Sequence, residues 1–154
     1  MIRYQTTYLL DSPAQTLVNP VNTVGVMGKG LALIFKQRYP AMFQDYRQRC
    51  QARQFDVGQL HVYRAPGKII VNFPTKKHWR NPSQLAYIEA GLETFVADYE
   101  RNGITSVAFP PLGCGNGELG WEGQVKPVME RYLKDLPIPV YIHLPNRESG
   151  KSQE

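Results

Sequence analysis

A short basic and aromatic run, Lys76-Lys77-His78-Trp79-Arg80, has the residue types best suited to chemistry on a nucleic acid or a sugar. Cationic side chains contact phosphates, and a tryptophan ring stacks on an unpaired base, which contributes about 1–3 kcal/mol per base. A lysine amine can attack a sugar carbon when it is neutral, which requires a pKa well below its ordinary value of about 10.4. The alternative is a solvated basic loop with Trp79 folded into the core. We refer to residues 74–82 as the basic loop.

A second stretch, residues 17–30, carries asparagines and glycines between an apolar run and a helical pattern. The order of strand, glycine-bearing loop and helix start is typical of a site for a phosphate or a sugar diphosphate. Glycines let backbone N–H groups approach an anion, and the helix N-terminus adds partial positive charge. An ordinary strand-to-helix turn is the alternative. We call residues 22–30 the first glycine loop; the asparagines and glycines of the stretch are Asn19, Asn22, Gly25, Gly28 and Gly30.

Residues 110–117, the second glycine loop, read Pro-Pro-Leu-Gly-Cys-Gly-Asn-Gly and follow the apolar run 106–109. Two such loops at the carboxyl ends of strands should converge on one crevice, where they could hold a diphosphate from both sides. Cys114 lies between glycines with no histidine beside it in the sequence. A reactive thiol needs a base or a positive neighbour, so a small buried side chain is favoured over a nucleophile.

The elements that must position these loops alternate between strand-like and helix-like patterns, which predicts an α/β sandwich. Two strands on either side of the turn at 65–67 have no helix between them, so the sheet is predicted to be mixed rather than wholly parallel. Ser83 is predicted to cap the helix that follows it. The predicted strands cover residues 2–10, 15–19, 60–63, 68–73, 106–109 and 140–143, and the predicted helices cover about 30–38, 40–50, 84–101 and 121–136.

Length and composition indicate one globular domain, which we expect to cover residues 1–145, with a flexible tail at 146–154. The 154 residues are 42% hydrophobic and 20% charged, and a net charge of +5 suits an anionic ligand or nucleic acid. No charged-then-apolar leader and no long apolar run are visible, so we expect a cytoplasmic protein without a membrane segment. Cys50 and Cys114 lack metal-ligand spacing, so we expect free thiols and no metal.

The two glycine loops resemble the ligand loops of macrodomains, an ADP-ribose-binding family. The motifs that carry this resemblance are Asn-Pro-Val-Asn at 19–22, Gly-Val-Met-Gly-Lys-Gly at 25–30 and Gly-Cys-Gly-Asn-Gly at 113–117. The longer run Asn-Phe-Pro-Thr-Lys-Lys-His-Trp-Arg at 72–80 is similar to the branch of DNA ADP-ribosyl glycohydrolase antitoxins. The resemblance implies a three-layer α/β/α sandwich with a mixed central sheet. It further implies an enzyme that removes ADP-ribose from thymidine in single-stranded DNA and reverses a partner toxin. We expect this enzyme to be a monomer and to need no cofactor.

The same resemblance assigns roles to residues at matching positions. Lys76 matches the lysine to which relatives assign the chemistry; it would attack the anomeric carbon and form an imine, or only stabilise charge while water attacks. A partly buried position beside Lys77 or Lys29 would favour its neutral amine. The DNA contacts implied are Lys77, His78, Trp79 and Arg80. The ADP-ribose contacts implied are Asn19, Asn22, Gly25, Val26, Met27, Gly28, Lys29, Gly30, Leu112, Gly113, Cys114, Gly115, Asn116 and Gly117.

Two positions depart from the family pattern. Many macrodomains carry an aspartate after the first strand for the adenine amine, whereas this chain reads Thr7-Tyr8-Leu9. The near relatives that act on protein, the lysine-dependent terminal ADP-ribose protein glycohydrolases, place an aspartate in the second loop. This chain has Gly117 there, which favours the DNA branch. Glu118 is the one acid close to a ligand loop. Two other functions stay open: a non-catalytic ADP-ribose reader, and a hydrolase of ADP-ribose esters on protein carboxylates.

Overall fold

One sheet of six strands forms the centre of the protein, as seen in a computed structural model that describes residues 1–144. The tail predicted for residues 146–154, with its boundary at 145, lies outside the described residues. The strands are β1 (Ile2–Gln5), β2 (Thr16–Val21), β3 (His61–Ala65), β4 (Lys68–Pro74), β5 (Val107–Phe109) and β6 (Val140–His143).

The strands are arranged in the order β1-β6-β5-β2-β4-β3. Only β3 and β4, which are joined by a tight turn, pair antiparallel; the other neighbours are parallel. The mixed sheet predicted from the sequence is therefore confirmed. Since β5, β2 and β4 are adjacent and parallel, the loops that follow these three strands emerge side by side at one edge of the sheet.

Four α-helices occur in the described part of the chain. The second begins at Pro40. Proline has no backbone N–H, but the N–H of the first helical residue has no acceptor within the helix, so proline costs no hydrogen bond at this position. The helices are α1 (Gly30–Arg38), α2 (Pro40–Gln51), α3 (Leu85–Asp98) and α4 (Lys126–Leu133).

The helices cover both faces of the sheet. Neighbouring residues of β2 point to opposite faces: Leu17 packs in an apolar cluster with α1 and α2, and Val18 packs in a second cluster with α3 and α4. Both residues are fully buried, as expected of a central strand covered on two sides. The three-layer α/β/α sandwich is confirmed.

The first strand is shorter than predicted. β1 ends at Gln5, and Leu9–Asp11 form a single 3₁₀ turn instead of extending the strand to residue 10. β1 pairs only with the four residues of β6, so its ladder ends where its partner ends. Leu9 and Leu10 are nevertheless buried in the α1/α2 cluster, which explains why an apolar run here is not a strand.

The two later helices begin differently from the prediction. Ser83 does not cap α3, because Gln84 precedes the helix and makes no side-chain cap bond. The helix predicted over 121–136 starts as a π-helical turn, Trp121–Val125, in which the Val125 N–H donates to Gly120 O over 3.1 Å. α4 then ends at Leu133, three residues earlier than predicted.

Candidate functional site

A cleft of about 510 Å³ opens where the two glycine loops and the basic loop meet. These segments follow β2, β5 and β4, and their convergence results from the adjacency of the three strands. Of the residues predicted to bind a ligand, those that line the cleft are Asn22, Val26, Gly28, Lys29, Lys76, Trp79, Arg80 and Asn116.

The side chain of Asn22 organises the first glycine loop. Its Oδ1 accepts hydrogen bonds from the backbone N–H of Val24 (3.1 Å) and Val26 (3.3 Å), and its Nδ2 donates to Val26 O (2.8 Å). The Tyr46 hydroxyl lies 2.9 Å from Oδ1 and 2.8 Å from Asn22 O, and its one proton is shared between these two acceptors. Burial raises the pKa of this phenol, so it stays a donor. Gly25 holds a φ of +88° within this turn. The turn presents Val24 and Val26 to solvent.

Two of the predicted ADP-ribose contacts in the stretch 17–30 are buried below the surface of the cleft. Asn19 and Met27 are buried, with 0% and 1% of their surface exposed, and neither lines the cleft. Asn19 Nδ2 lies 3.7 Å from Met27 Sδ and donates to Asn72 Oδ1 over 3.0 Å. These two side chains support the loop from below, and their direct contact with ADP-ribose stays a prediction.

The second glycine loop turns sharply around its glycines. Gly113 and Gly115 have φ values of +74° and +70°, and Gly115–Gly117 form one 3₁₀ turn. Leu112 and Cys114 point inward and are buried; the Cys114 thiol lies 3.7 Å from Leu112 O. Asn116 is the member of the loop that lines the cleft.

Gly117 has no room for a side chain. An ideal Cβ built on this residue would lie 2.4 Å from Ser83 Oγ, and the Ser83 N–H donates to Gly117 O over 2.9 Å. Ser83 is buried, and its hydroxyl has no hydrogen-bond partner within residues 1–144. The serine predicted to cap α3 therefore packs against the second glycine loop instead.

The two lysines of the basic loop point in different directions. Lys76 Nζ donates to the backbone O of Asn116 over 2.7 Å, which brings its amine to the second glycine loop. Lys77 Nζ lies 5.9 Å from the ring centroid of Tyr87 on α3, and its backbone O accepts from Thr23 Oγ1 over 2.9 Å. Lys76, which is half-buried, lines the cleft, whereas Lys77 does not.

His78, Trp79 and Arg80 form a stack at the rim of the cleft. The rings of His78 and Trp79 lie 5.1 Å apart at 31°, and Arg80 Cζ lies 4.7 Å from the Trp79 ring centroid. The Trp79 side chain is 41% exposed, so the alternative in which it is folded into the core is wrong. An exposed ring braced by a guanidinium presents a flat surface to a ligand.

The charge of the cleft is predominantly positive. Lys29, Lys76 and Arg80 line it, and Glu118 is the one acidic residue of the described chain that lines it. Glu118 has a φ of +69°, which is uncommon for a residue with a side chain. Three cations against one carboxylate favour an anionic ligand.

Several lining residues were not predicted as ligand contacts. Thr75 and Asn81 flank the predicted run 76–80, and Ala32 lies on the first turn of α1. Pro20 and Val21, which also line the cleft, are the last two residues of β2 and lie beyond the predicted strand end at residue 19. Residues that flank a ligand-binding motif, and those on the first turn of the helix that follows a glycine loop, could have been included in the predicted contacts from the sequence alone.

Residues 1–144 contain no group of three or more histidine, cysteine, aspartate or glutamate side chains placed to hold a metal ion. No helix in this part of the chain has both the length and the apolar character needed to cross a membrane.

Comparison with known proteins relates this chain to one family. Residues 18–128 match the Macro domain. The DNA ADP-ribosyl glycohydrolase of Thermus aquaticus is 44% identical over 150 residues, which cover 94% of this chain but only 41% of the Thermus protein. The chain thus spans about two fifths of that relative's length.

Two solved structures extend the comparison. The macrodomain of Mycobacterium tuberculosis DarG is similar with a TM-score of 0.89 at 45% identity, over 95% of this chain and 98% of that one. Thermosipho africanus DarTG in complex with ADP-ribose is similar with a TM-score of 0.89 at 38% identity, over 95% of this chain and 42% of that one.

Proposed function

The chain belongs to the macrodomain family, and from that premise we propose that it is an ADP-ribosyl glycohydrolase acting on DNA. It removes ADP-ribose from thymidine bases of single-stranded DNA and so reverses the action of a DNA ADP-ribosyltransferase toxin. The observation that carries this proposal is the position of Lys76, whose amine lines the cleft and reaches the second glycine loop.

ADP-ribose carries a negatively charged diphosphate between two sugars. Gly28 of the first glycine loop and Asn116 of the second line the cleft, and glycine-bearing turns of this kind bind anions through backbone N–H groups. Lys29 and Arg80 add positive charge at the cleft. The similarity to Thermosipho africanus DarTG, solved in complex with ADP-ribose, supports the choice of this ligand.

The chemistry we assign to Lys76 is nucleophilic. Its neutral amine attacks the anomeric carbon of the ribose joined to the base, and the bond from that carbon to the base nitrogen breaks. The electron pair of this bond leaves with the thymine, which takes up a proton. The amine adduct loses its own proton and the sugar ring opens to an imine, which water then hydrolyses to free ADP-ribose and lysine.

A second route uses the same residue without a covalent bond. In this route the Lys76 ammonium stabilises negative charge on the departing base while water attacks the anomeric carbon. Borohydride separates the two routes, because it reduces an imine and would leave ADP-ribose attached to Lys76. Lys76→Arg also separates them, since arginine keeps the charge but cannot form the imine.

The DNA strand lies, in this proposal, along the rim formed by the basic loop. Trp79 offers a stacking surface, and Arg80 and Lys77 offer cations for phosphates. Val24 and Val26 on the first glycine loop are also exposed, and the Thr23–Lys77 hydrogen bonds tie that loop to the basic loop. An apolar, basic rim suits unpaired bases better than a duplex, whose bases are stacked inside.

Hydrolysis of esters on protein carboxylates is the second candidate. The protein-specific relatives described above carry an aspartate at the position of Gly117, and here a side chain at that position would collide with Ser83 Oγ. The lack of space disfavours a lysine–aspartate pair and supports the DNA substrate.

The test is incubation of the protein with ADP-ribosylated single-stranded DNA and with ADP-ribosylated protein, side by side, with Lys76→Ala in parallel. We expect release of ADP-ribose from the DNA by the unmodified protein and none by Lys76→Ala. Binding of ADP-ribose without release from either substrate would instead identify a reader. Release from the protein substrate alone would identify an ester hydrolase.

A further inference from the structure

Three buried polar side chains lie side by side across neighbouring strands of the sheet. Asn19 on β2 is directly opposite Asn72 on β4, and Asn72 is directly opposite His61 on β3. All three are 0% exposed. Asn19 Nδ2 donates to Asn72 Oδ1 over 3.0 Å, and Asn72 Nδ2 lies 2.9 Å from His61 Nδ1. We call these three residues, together with Asp45, the polar ladder.

Asp45 on α2 sets the direction of the ladder. Its Oδ2 lies 2.6 Å from His61 Nε2, and its side chain is 48% exposed. A carboxylate can only accept, so Nε2 carries the proton and Nδ1 of a neutral imidazole accepts from Asn72 Nδ2. The Asn72 oxygen then accepts from Asn19. Every donor points towards Asp45, and the far end is Asn19 Oδ1, which has no hydrogen-bond partner within residues 1–144.

The far end of the ladder lies under the first glycine loop. Asn19 Nδ2 also lies 3.7 Å from Met27 Sδ, and Met27 is 1% exposed. Val26 and Gly28, on either side of Met27 in the sequence, both line the cleft. The ladder therefore connects a partly exposed carboxylate on α2 to the residue that supports the floor of the cleft.

We propose that Asp45, His61 and Asn72 are positioning residues for the first glycine loop, and that protonation of His61 reverses the ladder and weakens ADP-ribose binding. This inference rests on the proposed function, because it takes ADP-ribose as the ligand of the cleft. A protonated imidazole donates from both nitrogens, so Asn72 must turn its oxygen towards His61 and its amide nitrogen towards Asn19. Asn19 must turn in response, which changes the group beneath Met27 from amide nitrogen to oxygen.

The groups around His61 keep it neutral at pH 7. Burial lowers its pKa and is the largest effect; the Asp45 carboxylate acts in the opposite direction, and the Arg49 guanidinium on α2 lowers the pKa further. The rings of Tyr46 and Phe55, 6.4 Å from the imidazole, are its other neighbours. The ladder is thus intact at neutral pH and reverses only on acidification.

The test is calorimetry of ADP-ribose binding between about pH 7.5 and about pH 5 for the unmodified protein and for His61→Gln. Glutamine can accept from Asn72 through its oxygen and donate to Asp45 through its nitrogen, but it cannot take up a proton. We expect the affinity of the unmodified protein to fall about tenfold over this range, whereas that of His61→Gln stays nearly constant. His78 in the basic loop is present in both proteins, so its contribution cancels in the comparison.

The other buried histidine is the matched control. His143 on β6 is 0% exposed, and its Nδ1 lies 3.0 Å from Thr7 O, away from the ladder. His143→Gln should keep the decline in affinity with acid.

The outcomes separate this inference from the proposed function. Absence of ADP-ribose binding at neutral pH would overturn the proposed function and the inference together. Neutral-pH binding with equal declines in the unmodified protein and His61→Gln would overturn the inference alone. If His61→Gln does not fold, Asp45→Asn replaces it: without the carboxylate that raises the pKa of His61, the decline should move to lower pH. An unmoved decline in Asp45→Asn would also overturn the inference.

Discussion

Lys76 Nζ donates a hydrogen bond of 2.7 Å to the backbone oxygen of Asn116, forty residues away in sequence. The bond joins the loop after β4 to the loop after β5, and β2 with its first glycine loop lies between these two strands. The amine is thereby held at the edge of a cleft that glycine turns line on two sides. A flexible lysine on a surface loop would have no such fixed position, and this geometry underlies the proposed role of Lys76 in the reaction.

Replacement of Gly115 by glutamate should abolish tight binding of ADP-ribose. Gly115 has a φ of +70°, and a carboxylate side chain would add strain, bulk and negative charge where the diphosphate is expected. We expect calorimetry to show an affinity lower by about tenfold or more. Gly67→Glu is the control, because its φ is +78° and no atom would lie within 4 Å of an added Cβ, so it carries similar strain outside the cleft. Full affinity in Gly115→Glu would refute the role of the second glycine loop.

Truncation of Trp79 should separate DNA recognition from ADP-ribose binding. Since the ring is exposed, Trp79→Ala should leave the fold and the affinity for free ADP-ribose nearly unchanged. Loss of base stacking should lower kcat/KM on ADP-ribosylated single-stranded DNA by about tenfold. Tyr4→Ala is the matched control, because Tyr4 on β1 is also 41% exposed and does not line the cleft. Equal losses for DNA and for free ADP-ribose would argue that Trp79 supports the fold instead.

Gly117 and Ser83 should behave as a coupled pair in stability measurements. Gly117→Ala should destabilise the protein by about 1–3 kcal/mol, because the added Cβ would lie 2.4 Å from Ser83 Oγ. In a Ser83→Gly background the same substitution should destabilise the protein much less. Chemical denaturation of the unmodified protein, the two single variants and the double variant gives the free energy of coupling between the two positions. Gly123→Ala, where nothing lies within 4 Å of the new Cβ, should be close to neutral. An equal cost in both backgrounds would contradict the predicted collision.

Acid should destabilise the fold through its two buried histidines. Burial lowers the pKa of both His61 and His143, whereas the unfolded chain keeps the ordinary value of about 6.5. The unfolded state therefore binds more protons below about pH 6.5. The stability contributed by the two neutral histidines should be fully present above that pH. The free energy of unfolding should fall as the pH decreases towards the pKa values of the folded state, by up to about 1.4 kcal/mol per pH unit for each histidine.

Urea denaturation at about pH 7.5 and about pH 5.5 measures this effect. The free energy of unfolding should be lower at the acidic pH, and His61→Gln should reduce the difference. A free energy that rises on acidification in this window would contradict burial of the two imidazoles in their neutral form.

The local patterns of the sequence predicted most of the architecture. The apolar run before Asn19 and the helical pattern after Gly30 identify β2 and α1, and the absence of a helix between β3 and β4 predicts the mixed sheet. The sequence around Trp79 could not show whether its ring is exposed or buried, because basic residues flank tryptophans of both kinds. The structure resolves this question, since the ring is exposed at the rim.

Relationships set by strand register and by distant packing could not be read from the sequence. Asn19, Asn72 and His61 come together because three strands align them, and Asp45 joins them from a helix. Ser83 had the residue type of a helix cap, but its close approach to Gly117 depends on how α3 meets the second glycine loop. Leu9 and Leu10 extend an apolar pattern beyond β1, whose length is limited by its partner strand.

The role of Lys76 in the reaction is measured by the release of ADP-ribose from ADP-ribosylated single-stranded DNA by three proteins: unmodified, Lys76→Ala and Lys77→Ala. Lys76→Ala should lower the rate by about a hundredfold or more while free ADP-ribose still binds. Lys77→Ala should keep a kcat close to that of the unmodified protein, because the Lys77 amine lies 5.9 Å from the Tyr87 ring centroid and outside the cleft. Loss of its proposed phosphate contact should raise KM for the DNA instead. Substantial release by Lys76→Ala, or loss of activity confined to Lys77→Ala, would show that Lys76 does not carry out the reaction.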